Sequence, residues 1–143
     1  MGNPLAMVGP MNNWRTTIAI LDDEVQIRKA LGRLLRAHGF MVETHTMGSE
    51  MLQNFFEQLP DCLLLDLHMP GMTGFEVMEA IRSRHCPVPV IVITGHDEPK
   101  NAERVFLLGA VAYLTKPIDE AILLSALQKA MGGASSKEAF PES

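Results

Sequence analysis

Four short stretches of the chain carry residue types that can do chemistry together: Asp22-Asp23, Asp66, Thr94 and Thr115-Lys116-Pro117. Three carboxylates brought close repel one another, and a hard divalent cation is their natural neutraliser. Mg2+, or Mn2+ in its place, suits such a set, because Mg2+ takes few carboxylates, keeps waters and leaves room for a phosphoryl oxygen. A hydroxyl and an ammonium beside that cluster complete what phosphoryl transfer asks of a protein, which is positioning and charge compensation. A carboxylate is itself a competent nucleophile for forming a phosphoenzyme.

Those residues act together only if the fold assembles them, so the elements between them matter. Thr16 to Leu21 is a short apolar run without alternation, as a strand covered on both faces requires. Ile27, Leu31, Leu34, Leu35 and His38 then repeat at helical spacing, which predicts a helix over Glu24 to His38 closed by Gly39. Four more alternations follow. Strands are predicted at Met41 to Thr46, Cys62 to Leu65, Val88 to Ile93 and Ala112 to Thr115. Helices are predicted at Ser49 to Gln58, Phe75 to Arg84, around Ala102, Val105 and Phe106, and along the stripe Leu123, Leu124, Leu127, Met131.

Five strand–helix units with buried strands predict an α/β fold, a doubly wound parallel sheet with helices on both faces. About 115 residues favour the open sheet over half of a barrel, and in open sheets function sits at the carboxyl ends of the strands. Asp22-Asp23, Asp66, Thr94 and Thr115-Lys116 each close a predicted strand. They therefore converge on one edge.

Composition narrows the function classes. The chain has 143 residues, 47% hydrophobic and 20% charged, which fits one globular domain. A net charge of −5 with no Lys/Arg block makes direct nucleic-acid binding by this domain unexpected. Cys62 and Cys86 match no zinc spacing and read as two reduced thiols of a cytoplasmic protein. No apolar run approaches the ~18 residues that span a bilayer. Residues 1–14, broken by Pro4, Gly9 and Pro10, read as a disordered arm or a cloning remnant rather than a signal peptide. Residues 132–143, small and polar, read as a linker or tail, leaving 15–131 as the folded domain.

Each site residue also has an ordinary reading. Asp23 and Gln26 have capping-box spacing, Asp66 can initiate a turn, Thr94 can cap a helix, and Lys116 can be a solvated lysine before Pro117. Coincidence at four strand ends on one edge argues against all of them together.

The segments Ile20-Leu21-Asp22-Asp23-Glu24, Leu65 to Gly74, Val92-Ile93-Thr94-Gly95-His96 and Tyr113-Leu114-Thr115-Lys116-Pro117 resemble the receiver domain of two-component response regulators. The likeness covers essentially all of Thr16 to Met131. It implies a flavodoxin-like (βα)5 fold with strand order 2-1-3-4-5 and a cis Lys116-Pro117 peptide. It also implies that Asp66 takes a phosphoryl group from a sensor histidine kinase or phosphotransfer protein. Asp23, Asp66 and the His68 backbone carbonyl would hold Mg2+, with Asp22 assisting through water. Lys116 and Thr94 would engage the phosphoryl oxygens, and His68 and His96 would tune how long the phosphoryl group lasts. Tyr113 would be a rotatable aromatic, with Thr94, in a switch running to the face of the fourth helix, fifth strand and fifth helix. That face, including Val105, Phe106 and Tyr113, would bind an output domain, a partner protein or a second copy of the chain. No turnover is implied beyond self-phosphorylation from a donor and self-dephosphorylation. The Val92 to His96 segment resembles receivers of the nitrogen-fixation regulator type, which makes transcription control a natural output.

Three rival readings are weaker. A haloacid-dehalogenase-type phosphohydrolase needs Asp-x-Asp on the first strand, whereas the nucleophile candidate here closes the third and His68 stands two residues on. A flavin carrier needs a phosphate-cradling loop where Asp22-Asp23-Glu24 would repel phosphate. A non-phosphorylated interaction module does not require all five functional positions to be filled. Among the remaining histidines, His38 reads as a helix-end residue and His45 and His85 as exposed.

Overall fold

A computed structural model describes residues 16–132, so the arm and all of the tail but Gly132 lie outside the described residues. Strands β1 (Thr17–Leu21), β2 (Met41–His45), β3 (Cys62–Asp66), β4 (Val90–Thr94) and β5 (Ala112–Thr115) form one parallel sheet in the order β2-β1-β3-β4-β5. Helices α1 (Val25–Ala37), α2 (Gly48–Phe55), α3 (Gly74–Ser83), α4 (Asn101–Leu107) and α5 (Glu120–Leu127) connect and cover it, and α5 runs on through a π turn, Gln128–Gly132. The fold and strand order are those expected.

Alternation along the central strands divides the core in two. Ala19, Leu21, Leu63, Leu65, Val90 and Val92 pack with Val77, Met78, Ile81 and Val105 of the helices on one face. Ile18, Ile20, Leu64, Ile91 and Ile93 pack with Leu31, Leu35, Leu123 and Leu127 of α1 and α5 on the other. Burial of β3 and β4 on both sides explains why their sequences are unbroken apolar runs.

Boundaries differ from expectation where local chemistry intervenes. β4 starts at Val90 rather than Val88 because Pro87 and Pro89 cannot donate to a ladder; the Pro89 carbonyl instead accepts from the Leu63 N–H. α2 stops at Phe55 rather than Gln58 as the chain turns toward Leu59-Pro60, where the residue before proline disfavours helix. The capping box does not fall on Asp23 and Gln26. It falls on Thr73 and Glu76 at the start of α3, while α1 begins after Glu24 with no side-chain cap. Gly39 and Gly109 end their helices at φ of 90° and 108°, the left-handed cap that glycine adopts most easily. Cys62 and Cys86 are free thiols, and burial pushes the Cys62 thiol up to about 12. His85 is exposed as expected, whereas His45 is half-buried, with Nε2 3.8 Å from Glu43. His38 caps the C-terminus of α1 and lies 3.2 Å from Glu120.

Candidate functional site

Sheet register builds the site. Leu21 pairs with Leu65, so Asp22 and Asp66 leave neighbouring strands at the same level, and such strands lie about 4.8 Å apart. Asp66 in turn pairs with Ile93, Ile93 with Leu114 and Thr94 with Thr115, so Thr94 stands one step and Lys116 two steps past Asp66 on the other side. The Lys116 N–H donates to the Thr94 carbonyl at 2.8 Å, and the Lys116-Pro117 peptide is cis.

The carboxylates meet as the spacing predicts. Asp22, Asp23 and Asp66 each offer an oxygen within 4.8 Å of the others, with Asp22 and Asp66 buried and Asp23 exposed. Lys116 Nζ reaches into the group, 2.9 Å from Asp22 Oδ2 and 3.7 Å from Asp66 Oδ1. Its contact with Asp22 Oδ2 is an ion pair off the hydrogen-bond direction, so that buried oxygen keeps an unfilled acceptor position. A bare divalent cation or its water suits such an oxygen. The donor set is all oxygen, which fits Mg2+ or Mn2+ rather than a thiolate- or imidazole-seeking metal.

Burial pushes the Asp66 carboxyl up to about 7, with the Asp22 charge adding to the shift and Lys116 opposing it. Asp22 is raised as well, again by burial first. Burial would lower Lys116, but the negative charges of Glu24 and Asp22 against it outweigh that and hold it above its ordinary value.

Thr94 caps no helix. Its hydroxyl accepts from the His96 N–H at 3.0 Å and donates to the His96 carbonyl at 3.2 Å, a knot that holds the loop after β4 beside Asp66. The His68 and His96 rings meet edge to face with centroids 4.8 Å apart, and His68 Nε2 is buried without a hydrogen-bond partner. Tyr113 is half-buried, and its hydroxyl donates to Asp97 Oδ1 at 2.9 Å. Burial and that carboxylate raise the phenol to about 12.

A scan against protein-family models matches residues 18–128 to the response regulator receiver domain. The chain belongs to that family. The receiver is 38% identical over 112 residues to the DNA-binding transcriptional regulator NtrC of Escherichia coli, covering 77% of this chain and 24% of NtrC. It is 31% identical over 115 residues to the transcriptional regulatory protein FixJ of Azorhizobium caulinodans, covering 80% of this chain and 54% of FixJ. The chemotaxis protein CheY4 of Vibrio cholerae superposes with a TM-score of 0.74 at 30% identity, covering 80% of this chain and 98% of that structure. This chain spans about a quarter of NtrC and about half of FixJ. Receivers are the phosphorylation-dependent switches of two-component signalling, and nothing in the comparisons favours the phosphohydrolase reading. Among the described residues no helix is long and apolar enough to cross a membrane.

Sequence spacing assigns no role to two residues that shape this receiver's site. Glu24 Oε1 accepts from Lys116 Nζ at 2.8 Å, which lowers the Glu24 carboxyl. Gly74 lies so close to the Asp66 carbonyl and to Leu67 Cα, 2.7 Å from where a Cβ would stand, that any side chain would displace the backbone of the phosphoacceptor candidate. The glycine's place just after Pro70 to Thr73 was the available signal.

Proposed function

We propose that Asp66 is the phosphoacceptor of this receiver and that a sensor histidine kinase or phosphotransfer protein is its donor. An Asp66 oxygen forms the new bond to phosphorus as the phosphorus–nitrogen bond of the donor phosphohistidine breaks, and the departing imidazole recovers a proton. The observation that carries this reading is the convergence of Asp66 with Asp22, Asp23, Lys116 and Thr94 at one sheet edge. Asp23 and Asp66, with the His68 backbone carbonyl, would hold Mg2+ or Mn2+, and Asp22 would steady a bound water. The cation supplies positive charge against the phosphoryl oxygens. Lys116 pairs with one of those oxygens and Thr94 donates to another once its bond to the His96 carbonyl is released. His68 and His96 flank the position of the phosphoryl group and, by crowding it, set how fast water removes it. The chain turns over no other substrate on this reading.

The metal assignment is tested by titration. Mg2+ or Mn2+ should bind the wild type, Lys116→Ala should retain binding, and Asp23→Ala should weaken it at least about tenfold, the scale seen even for groups that only support a metal ligand. An unchanged titration in Asp23→Ala removes Asp23 from the site.

The output runs through Thr94 and Tyr113. An aspartyl phosphate adds almost two negative charges at a fixed point. Thr94 following that charge loosens its knot with His96, and Tyr113, anchored on Asp97 of the same loop, is then free to turn inward. One detail of the expected face needs correcting: Val105 is fully buried and cannot be presented. Phe106, Leu107, Val111 and Ile122 are the exposed apolar residues there, and they are the surface offered to an output domain, a partner protein or a second copy of the chain. Output through transcription, a cytoplasmic location and no direct nucleic-acid contact by the domain itself complete the reading. With Mg2+ and beryllofluoride, Tyr113 ring signals should shift in NMR and Phe106 and Leu107 should respond; a mimic bound at Asp66 with neither response rejects this route.

A further inference from the structure

We propose that Glu24 is a positioning residue that holds Lys116 back from Asp66 and thereby limits the rate at which the receiver captures a phosphoryl group. The inference rests on Asp66 being the phosphoacceptor. Lys116 Nζ sits between an inner and an outer carboxylate: Asp22 Oδ2 at 2.9 Å, fully buried, and Glu24 Oε1 at 2.8 Å, on the solvent side. Only the bond to Glu24 has hydrogen-bond geometry, and Asp66 Oδ1, at 3.7 Å, is beyond hydrogen-bond reach.

The Glu24 side chain serves no visible purpose in the fold. It precedes α1 without capping it, and its own backbone N–H is satisfied by Asp22 Oδ1 at 2.8 Å. What the side chain does is engage the one ammonium that a phosphoryl group on Asp66 would need. It also adds a fourth negative charge beside Asp22, Asp23 and Asp66, so an anionic donor approaches against it. An ammonium offers three protons. A phosphoryl oxygen gains Lys116 fully only by displacing the outer partner, and removing that partner beforehand speeds capture.

The latch and the charge are separable. Glu24→Ala removes both, whereas Glu24→Asp keeps the charge on an arm one methylene shorter. With acetyl phosphate below saturation and Mg2+ present, Glu24→Ala should form the adduct about two- to fivefold faster than wild type, the range an exposed ion pair supports. Glu24→Asp should show most of that gain, and the gain should disappear when Lys116→Ala is the background. Equal rates in wild type and Glu24→Ala, a wild-type rate in Glu24→Asp, or the same gain without Lys116 each overturn the latch. A second readout needs no phosphoryl chemistry: in the metal-free chain the Lys116 Nζ protons should give an NMR signal that broadens in Glu24→Ala, and an unchanged signal also overturns the proposal. A broadened signal with no adduct on any variant would instead mean that the phosphoacceptor assignment is what failed.

Discussion

Intact chain incubated with acetyl phosphate and Mg2+ should gain one phosphoryl group by mass, and Asp66→Asn should gain none. The expected effect is a complete loss, because an amide of the same shape has no carboxylate oxygen to attack phosphorus. Three acids compete for the role, and their surroundings separate them. Asp22 is fully buried, with Oδ1 accepting from the Glu24 N–H and Oδ2 against Lys116. Asp23 is exposed and forms no ion pair with Lys116. Asp66 lies beside the other two acids with Lys116 Nζ 3.7 Å away, beyond hydrogen-bond reach, and with Thr94 one residue step beyond it in the sheet. Its carboxyl, pushed up to about 7 by burial and by Asp22, is incompletely ionised at neutral pH in the metal-free chain. A bound cation favours the ionised form, so excess chelator should suppress the adduct in wild type as well. An adduct on Asp66→Asn at the wild-type level would move the phosphoacceptor elsewhere.

The strand ends were legible because burial leaves its mark on neighbouring residues. β1, β3 and β4 run apolar almost to their ends and turn polar at their carboxyl edge, at Asp22, Asp66 and Thr94, all three buried. The family resemblance then supplied strand order and roles that hydrophobic patterning cannot. What stayed hidden depends on distance along the chain. Glu24 meets Lys116 across 92 residues, and nothing local distinguishes it from an ordinary acidic helix start. Gly74 is needed because two backbones nearly touch, a tertiary condition invisible in its own segment. Val105 and Phe106 are adjacent on a seven-residue helix, and which one turns inward follows from how α4 is anchored. Lys100 caps that helix at a φ of 78°, and the Asn101 amide ties it to the His96 carbonyl at 3.2 Å. That rotation buries Val105 and leaves Phe106 outside.

The same clustered carboxylates that prepare the site should make the metal-free fold less stable as pH rises. Asp66 is only 2% exposed, and its folded-state value of about 7 lies above the roughly 3.9 of an unfolded aspartate. Below pH 4 both states hold the proton and the group is neutral in its effect. Between about pH 4 and pH 7 the folded chain keeps a proton that the unfolded chain has released, so stability falls with rising pH, and above pH 7 the full penalty remains. From pH 5 to pH 8 the loss is about 3 kcal/mol at 1.36 kcal/mol per unit. Asp22, also raised by burial, shifts stability the same way. Glu24, lowered by Lys116, acts in the opposite direction, but only as pH falls below its ordinary carboxylate range. Lys116, raised, contributes stability that is lost only above its ordinary value, far outside this window. Urea unfolding in excess chelator should therefore give a higher midpoint at pH 5 than at pH 8 for the wild type. Asp66→Asn should lose most of that fall, keeping only the part due to Asp22, and should be more stable than wild type at pH 8. Mg2+ at pH 8 should restore the wild type, since a ligand bound only by the folded state stabilises it. A wild-type midpoint that rises from pH 5 to pH 8 without metal would show that Lys116 compensates the carboxylates fully, and that the site carries no buried-charge penalty for a cation to relieve.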